Sequence, residues 1–551
     1  MNTVRKILLL LLFLLWMLPG LIGRDPWKAD EPYSFGITTH IMRTGDATVP
    51  MVAGVPFLEK PPLYYVSAAV SGWIFSPLLA QHDAVRIINI LWMFLTLLFL
   101  GLATREIAGK DAAWTAPILL VGCTLLQMPA HKLTTDVALL TGFAIAYHGI
   151  AISRRIPGWG GIWIGTGVGI GFLTKGLFAP GVIGVTALAL PVVFPAWRTK
   201  EYFRSLAIAT AAALPSLVIW PLALYNRSHE YFVEWFWYQN LGRFFGFARG
   251  GNDSHLFAII NLPWLAWPVL PLALWALWSF RDRWRAHPVY QLPLTAFLVM
   301  LTVLSIASSA REIYALPLLL PLVMIAATGM ARIPERVSGA ITRITVAFFG
   351  LLGLIIWLLW SVRITGNPAW MRLFPAATVH YAPVDAVLLA AALLVSAVWA
   401  AAMAFRSQWD AAIAVSWSAG VMLIWGLVMT IWLPWMEAET SFRDIFTSLR
   451  DRLPERYACV ASYGIGESER AMLEYYAGVR TRPLETMTGQ PCDLLIAGFD
   501  RHEIDTASRR DWNLLWEGTR PLECPKEHYT LYHIGTPRGL PGQVLTPWMI
   551  R

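Results

Sequence analysis

The chain has 551 residues, of which 56% are hydrophobic and only 14% are charged. Soluble domains carry about 45–50% apolar and about 25% charged residues, so the composition excludes an ordinary soluble enzyme, a disordered chain and a small disulfide-rich scaffold. The formal net charge is +8. Because the basic residues lie in short loops between apolar runs, we expect them to set membrane topology rather than to bind nucleic acid.

Thirteen apolar runs are long enough to cross about 30 Å of hydrocarbon. The first follows Arg5 and Lys6 and lacks a small-residue cleavage site, so we interpret it as an uncleaved span rather than a signal peptide. In chain order the predicted spans are 7–23, 84–105, 112–130, 133–152, 158–173, 176–195, 203–225, 257–279, 289–308, 313–331, 342–363, 384–405 and 410–434.

The charges of the loops decide how the further apolar run from Pro62 to Leu79 is interpreted. If this run lies along the outer interface and the N-terminus is cytoplasmic, every cytoplasmic loop is basic, as the positive-inside rule requires. If the run crosses, all these loops face outward. The sequence therefore predicts an interfacial helix over 62–79 and long outer segments at 24–83, at 226–256 and beyond residue 437.

The C-terminal part of the chain changes character. Short apolar runs at 458–462, 494–497 and 529–533 alternate with amphipathic stretches at 441–453 and 467–476. Alternating strand and helix signals of this kind predict a small α/β domain. We expect two domains, a membrane domain over 1–436 and an outer α/β domain over 437–551.

Four cysteines are too few to hold a fold together. Cys123 lies in an apolar run and is expected to be a buried small hydrophobe. Cys459, Cys492 and Cys524 fall in the C-terminal domain without the spacing of a zinc knuckle. In an oxidising compartment two of these three would pair, and the sequence leaves the pairing open.

Ionisable residues are nearly absent from the middles of the predicted spans and gather at their outer ends. Such groups are costly in a membrane and usually functional. Their one-sided placement favours an enzyme at the outer surface over a transporter, whose polar groups lie near the midplane. The candidates are Asp30, Glu31, Glu59, Lys60, Asp136, Lys175, Arg243, His255, Arg311 and Glu312.

The residue types suggest chemistry on a lipid phosphate. Four cations suit an anionic headgroup, namely Lys60, Lys175, Arg243 and Arg311. Asp30 and Asp136 could accept a proton from an attacking hydroxyl. Glu59 and His255 could share a divalent cation such as Zn. Ordinary structural roles stay open beside these, since Asp30 and Asp136 also suit the first turn of a helix.

Seven short motifs occur in a fixed order along the first 330 residues. They are Asp30-Glu31, MRTGDATVP (42–50), EKPPLYY (59–65), TTDVALLTGF (134–143), FLTKGLFAP (172–180), NLGRFFG (240–246) and SSAREIYALPLLLP (308–321). Together they resemble the bacterial lipid-linked-sugar glycosyltransferases, in particular the aminoarabinose transferase and protein-mannosyltransferase-like group, which has the GT-C fold.

This resemblance implies a mostly α-helical, multi-pass protein of the bacterial inner membrane, with two interfacial helices in the first outer loop and a periplasmic C-terminal domain. It implies transfer of a sugar from polyprenyl (undecaprenyl) phosphate to an outer-face acceptor, in its most specific form 4-amino-4-deoxy-L-arabinose to lipid A. Mannosyl transfer to a protein, glycan or other lipid is the alternative within the fold, and a polyprenyl-lipid flippase is the alternative of another class. We expect the protein to be a monomer surrounded by membrane lipids.

The resemblance also implies roles for single residues. Asp30, Lys60 and Asp136 would be catalytic, and Glu59 with His255 would hold a divalent cation. The substrate-binding residues would be Glu31, Tyr64, Lys175, Arg243, Arg311 and Tyr314. One departure is clear, because the family's arginine after Asp-Glu is replaced within Pro32-Tyr33-Ser34. We expect Arg243 or Arg311 to supply the missing charge.

Overall fold

The computed structural model describes residues 3–110, 112–246, 257–281, 288–307, 311–365, 384–405, 411–484, 492–498, 512–520 and 527–534. The chain is mostly helical, as the sequence predicts. It divides into two compact units. The first comprises Met1–Gly23, Ala47–Val49 and Leu58–Leu433, and the second comprises Arg24–Asp46, Pro50–Phe57 and Pro434–Arg551.

The described part of the chain contains twenty-three α-helices. In order they are α1 (Thr3–Met17), α2 (Asp30–Thr44), α3 (Leu63–Phe75), α4 (Gln81–Arg86), α5 (Ile88–Ala108), α6 (Ala112–Val121), α7 (Thr124–His131), α8 (Thr135–Ile152), α9 (Pro157–Lys175), α10 (Phe178–Val193), α11 (Lys200–Arg227), α12 (His229–Val233), α13 (Arg243–Phe245), α14 (Phe257–Leu265), α15 (Val269–Ser279), α16 (Pro288–Ile306), α17 (Leu319–Gly329), α18 (Glu335–Thr365), α19 (Ala386–Ala404), α20 (Ala412–Val428), α21 (Leu433–Thr440), α22 (Arg443–Arg450) and α23 (Glu467–Ala477). A π-helical segment (Glu234–Gly242) precedes α13, and 3₁₀ segments lie at Pro195–Trp197, Glu312–Leu318 and Met330–Arg332.

The apolar helices agree in position with the predicted spans. Among the described residues, six helical segments are long and apolar enough to cross a membrane, or up to nine if three pairs of consecutive helices each count as one span. Helices also cover the other four predicted spans, as α1, α9, α10 and α16. The run predicted as an interfacial helix forms α3. The count of thirteen crossings and the interfacial position stay predictions.

Glycine determines how the central helices of the first unit pack. Helix α9 has the sequence PGWGGIWIGTGVGIGFLTK and lies between α8 and α11. A Cβ added at Gly167 would lie 2.4 Å from the carbonyl oxygen of Gly142 on α8, and one at Gly165 would lie 2.5 Å from that of Ala209 on α11. Membrane helices use small residues in this way, because close backbone contact replaces the missing hydrophobic driving force. The helices α8 and α9 therefore form a tight antiparallel hairpin.

The second unit combines the first loop with the C-terminal part of the chain. Its five-stranded sheet contains β3 (Val460–Tyr463), β4 (Thr481–Pro483), β5 (Leu494–Gly498), β6 (Asn513–Arg520) and β7 (Glu527–His533), and β1 (Met51–Val52) pairs with β2 (Val55–Pro56) in a small hairpin. The order in the sheet is β4-β3-β5-β7-β6, with β3 parallel to β4 and β5 and with β7 antiparallel to β5 and β6.

The elements of the tail lie where the sequence patterns predict them. The three apolar runs fall on β3, β5 and β7, and the amphipathic stretches fall on α22 and α23. Cys459 and Cys492 form a disulfide with their Cα atoms 4.8 Å apart, and Cys123 is a buried free thiol. Cys524 lies outside the described residues. The disulfide resolves a pairing that the sequence leaves open.

Helix α2 packs within the second unit against α23. The ring centroids of Phe35 and Tyr475 are 4.7 Å apart, and a Cβ added at Gly36 would lie 2.9 Å from the Cβ of Ala471. Ten of the fifteen residues of α2 are buried. The sequence assigned this segment to an outer loop of the membrane domain, and the helix α23 that helps to bury it lies more than four hundred positions further along the chain.

Candidate functional site

The two ends of the α8–α9 hairpin differ, and one of them holds a buried ion pair. Asp136 lies in the first turn of α8 and Lys175 is the last residue of α9, so the antiparallel packing brings them together. Lys175 Nζ donates a hydrogen bond to Asp136 Oδ1, and Thr134 Oγ1 donates to Asp136 Oδ2 at 3.0 Å. The side chains are only 2% and 12% exposed for Asp136 and Lys175. A charge buried to this degree depends on its partner.

An aromatic ring completes the surroundings of Lys175. Its Nζ lies 3.9 Å from the ring centroid of Tyr314, which is carried by the 3₁₀ segment Glu312–Leu318. A cation over an aromatic face is attracted by the ring's quadrupole. Lys175 thus contacts both a carboxylate and an aromatic face.

A sharp turn after Lys175 fixes the position of its side chain. Gly176 has a φ of +65°, which favours glycine. A Cβ there would lie 2.1 Å from Asn240 Oδ1, and this oxygen accepts a hydrogen bond from the backbone N–H of Leu177 at 3.0 Å. Asn240 is a supporting residue that sequence reasoning missed, although it lies in the same motif as Arg243.

Glu59 and Arg243 form a second ion pair. Arg243 Nη2 donates a hydrogen bond to Glu59 Oε1, and both side chains are about 30% exposed. Burial by itself raises the pKa of the Glu59 carboxyl, but the hydrogen bond from Arg243 and the charges of Arg243, Lys60 and Arg311 outweigh it, so this pKa lies below its ordinary value. Three predicted phosphate-binding cations therefore lie around one carboxylate.

The two ion pairs are connected through one turn of 3₁₀ helix. The N–H of Tyr314 donates to the carbonyl oxygen of Arg311 at 3.0 Å. The same turn thus places Tyr314 over Lys175 and the charge of Arg311 near Glu59. We call the combined group the charged cluster, defined by Glu59, Lys60, Asp136, Lys175, Arg243, Arg311 and Tyr314. Its four cations and two carboxylates leave a formal charge of +2.

Tyr64 lies beside the cluster in a supporting position. It is fully buried, and its hydroxyl donates to Asn89 Oδ1 at 2.7 Å and accepts from the backbone N–H of Thr134 at 3.1 Å. Since Thr134 in turn donates to Asp136, Tyr64 helps to fix the start of α8. Asn89, like Asn240, was not identified from the sequence.

Asp30 and Glu31 belong to the second unit, where they form the first turn of α2. Tyr33 Oη donates to Asp30 Oδ1 at 2.9 Å. Glu31 is buried and accepts hydrogen bonds from both terminal nitrogens of Arg24, at 2.5 and 3.0 Å, and from the N–H of Trp27 at 3.0 Å. The carboxylate of Glu31 is thus occupied by partners within its own unit.

The predicted cation site rests on two residues. His255 lies outside the described residues. Glu59 binds Arg243 amid further positive charge, and in this arrangement it does not fit a divalent cation, because a second cation would be repelled. Across the parts of the chain that the structure describes, no group of three or more His, Cys, Asp or Glu side chains gathers. The cation site stays a prediction.

Comparisons with known proteins agree with the motifs. The family model described as dolichyl-phosphate-mannose-protein mannosyltransferase matches residues 59–223. An undecaprenyl phosphate-α-4-amino-4-deoxy-L-arabinose arabinosyl transferase of Pectobacterium carotovorum is 28% identical over 368 residues, which are 64% of this chain and 64% of that protein. The transferase of the same name from Serratia proteamaculans is 26% identical over 425 residues, 74% of this chain and 73% of that protein. The chain thus matches just under two thirds of the length of the first relative.

The solved structures extend the similarity to the whole chain. The crystal structure of ArnT from Cupriavidus metallidurans bound to undecaprenyl phosphate superposes with a TM-score of 0.70 at 17% identity, covering 96% of this chain and 97% of that one. The archaeal oligosaccharyltransferase AglB from Archaeoglobus fulgidus gives a TM-score of 0.50 at 12% identity, covering 89% of this chain and 69% of that one. The predicted resemblance is therefore confirmed, and the chain has the GT-C fold.

Proposed function

We propose that this protein is a glycosyltransferase of the bacterial inner membrane that transfers 4-amino-4-deoxy-L-arabinose from undecaprenyl phosphate to lipid A on the periplasmic side. The observation that carries the proposal is the charged cluster, which gathers four cations at adjacent helix ends. The curated relatives named for this activity and the fold of a structure bound to undecaprenyl phosphate support the same donor.

The charges of the cluster suit a phosphate that becomes more negative during the reaction. The donor is a phosphodiester with one negative charge, and the departing lipid phosphate is a monoester with about −1.5 to −2 at neutral pH. Lys60, Arg243, Arg311 and Lys175 would therefore bind the leaving group more strongly than the intact donor. Interactions that strengthen as charge develops lower the barrier rather than the Michaelis constant alone.

The two carboxylates of the charged cluster would position its cations and reduce the repulsion between them. Without the donor, four cations close together repel one another, and Glu59 and Asp136 reduce this repulsion by pairing with Arg243 and Lys175. We infer that Asp136 is a positioning residue, which holds Lys175 through a direct hydrogen bond. Glu59 would release Arg243, wholly or in part, when the phosphate arrives.

The remaining predicted residues divide into one reacting group and two supports. The acceptor would attack the anomeric carbon from the face opposite the phosphate, so that the carbon–oxygen bond to phosphate breaks with inversion. Asp30 would accept the proton if the attacking group is a hydroxyl, and it would orient the acceptor if that group is a phosphate. Tyr64 and Glu31 would be positioning residues, because their polar atoms already bind protein partners.

A second candidate acceptor follows from the family model. Its match to residues 59–223 includes Lys60, Asp136 and Lys175, and its name describes mannosyl transfer to protein. The same cations would serve a polyprenyl-phosphate mannose donor, since they act on the phosphate. Sugar and acceptor would then differ while the donor half of the site stays the same.

A transfer assay in vesicles tests the proposal. The purified chain is reconstituted with the undecaprenyl phosphate-linked aminoarabinose donor and with lipid A, and products are identified by mass spectrometry; a parallel assay offers a mannose donor and a peptide acceptor. We expect sugar on lipid A, and a loss of about 10²–10³-fold in rate for Lys60→Ala, the effect of removing one stabilising donor.

The matched control is Lys110→Ala, which removes an exposed lysine beyond the end of α5. We expect this variant to transfer sugar at the wild-type rate. Transfer by Lys60→Ala at the control's rate would contradict the assigned site. Movement of the donor across the membrane without any sugar transfer would show that the protein is a flippase rather than a transferase.

A further inference from the structure

A polar pocket lies at the opposite end of the α8–α9 hairpin from the charged cluster. It has a volume of about 450 Å³ and is formed by the last turns of α5 and α8 and the start of α9. Asp136 and the pocket residues His148 and Ile152 all lie on or at the end of α8, so the pocket lies about 18–24 Å along the helix from the cluster at 1.5 Å per residue. Its polar and aromatic lining includes Arg105, Glu106, His148, Arg155, Trp159 and Trp163.

The charged side chains that line this pocket have a net charge of +1. Arg155 donates to Glu106 through Nε at 2.8 Å and through Nη2 at 2.9 Å, so these two charges neutralise each other. Within the described residues, Arg105 forms no salt bridge. His148 Nδ1 is buried and has no hydrogen-bond partner in the described part of the chain. The pocket therefore offers one positive charge and one unused polar atom.

An apolar cavity shares lining residues with the polar pocket. It has a volume of about 490 Å³ and lies among α1, α5, α6 and α20. Leu102 and the exposed Arg105 line both cavities. The other lining residues are almost all apolar and include Phe13, Leu98, Trp114 and Met422. Each volume lies within the roughly 300–1,000 Å³ of small-molecule sites.

The loops at this end of the bundle are basic. Lys110, Arg154 and Arg155 follow α5 and α8, and the positive-inside rule places such loops on the cytoplasmic side. Basic pockets between membrane helices on that side bind the headgroups of anionic lipids. A cation at the mouth of an apolar cavity has the layout of a headgroup site with an acyl-chain site attached.

We propose that the two cavities together bind one anionic glycerophospholipid of the cytoplasmic leaflet. Its phosphodiester would bind Arg105, its polar head would lie against Glu106, Arg155 and His148 Nδ1, and one acyl chain would fill the apolar cavity. A lipid with one net negative charge and a hydroxylated head, such as phosphatidylglycerol, matches the single uncompensated cation. Phosphatidylethanolamine matches it less well, because its ammonium group cancels its phosphate.

Native mass spectrometry of the full chain tests this inference. The detergent-purified protein is mixed with equal amounts of phosphatidylglycerol and phosphatidylethanolamine, and bound lipids are counted at rising collision energy. We expect one retained phosphatidylglycerol. Arg105→Gln should weaken retention about five-fold, which corresponds to about 1 kcal/mol for one basic residue near an anionic lipid.

Two further variants keep the result interpretable. Arg343→Gln removes an exposed basic residue on α18 and should leave retention unchanged. Leu98→Trp partly fills the apolar cavity and should lower retention while Arg105 is intact. Equal retention by Arg105→Gln and wild type, or equal retention of the two lipids by wild type, would overturn the proposal. Neither outcome depends on sugar transfer, so the proposed function is tested separately.

Discussion

The two ends of the α8–α9 hairpin each carry an ion pair, and the two pairs differ in their surroundings. Asp136 and Lys175 are 2% and 12% exposed, whereas Glu106 and Arg155 are 26% and 61% exposed. Water screens the more exposed pair, so losing one of its charges costs little stability. Within the buried pair, each charge depends on its partner. The comparison suggests that the buried pair is retained for function, and that the exposed pair leaves Arg105 available at its own end.

Removing one member of the buried pair should have the largest effect. Asp136→Ala leaves the Lys175 ammonium buried without its carboxylate, and we expect a loss of about 3–5 kcal/mol in stability together with a loss of sugar transfer. The measurements are thermal unfolding in detergent and the vesicle assay. Phospholipid retention at the other end should persist in the molecules that remain folded.

A double variant separates stability from function. Asp136→Leu with Lys175→Met replaces the pair by apolar groups of similar size, and such replacements are often neutral for stability. We expect the midpoint to return toward the wild-type value while transfer stays absent. If transfer also returned, neither charge would be needed at the site.

Changing the packing between the two ends should have the next largest effect. A Cβ added at Gly167 would lie 2.4 Å from Gly142 O and 2.6 Å from Ala146 N, so Gly167→Val must push α8 and α9 apart. Overpacking of this kind costs about 1–3 kcal/mol. We expect a lower unfolding midpoint and weaker function at both ends of the hairpin.

The matched control for this packing is Gly181→Val on α10. A Cβ added there meets nothing within 4 Å, and the same residue type enters a helix in both cases. An equal drop in midpoint for the two variants would show that the effect does not come from the hairpin contact, since Val is a better helix former than Gly.

The Glu59–Arg243 pair should show an intermediate and pH-dependent effect. Since the pKa of Glu59 lies below its ordinary value, the ion pair stabilises the folded state fully at pH values above that ordinary pKa. This contribution disappears as the pH falls through the lowered pKa. Glu59→Gln should destabilise by less than about 1 kcal/mol at neutral pH and flatten the acid limb of the stability profile. An unchanged acid limb would mean that the pair does not persist in solution.

The exposed pair at the other end should show the smallest effect. Glu106→Gln removes the partner of a solvent-exposed guanidinium, and we expect no resolvable change in the unfolding midpoint or in sugar transfer. If Glu106→Gln lowered the unfolding midpoint as much as Asp136→Ala, the two ion pairs would contribute equally to stability, and the proposed difference between the two ends would be wrong.

Much of this structure could be predicted from local sequence patterns. Apolar length predicted the helices, and alternating short runs predicted strands of the C-terminal sheet. The motifs predicted that Asp136, Lys175 and Tyr314 matter, and the structure brings these three into contact. A hairpin and a 3₁₀ turn bridge their separation in the chain.

Contacts between residues that are distant in sequence could not be predicted from local patterns. The hydroxyl of Tyr64, a predicted substrate-binding residue, binds Asn89 and the backbone of Thr134. The amide of Asn240 supports the turn after Lys175, and no local rule identifies such a contact. Local patterns likewise could not predict that α2 belongs to the second unit, because the helix α23 on which it packs lies far along the chain.

The composition of the second unit from two distant pieces of chain has a consequence for biosynthesis. Helix α2 emerges from the ribosome early, but α23, against which it packs, follows only after residues 58–433 have been made. At about 5–20 residues per second, that interval lasts on the order of 20–80 s. Throughout it the apolar side of α2 lacks its final covering, so the nascent chain has a window in which a chaperone or the lipid surface can shield this segment before the last strands arrive.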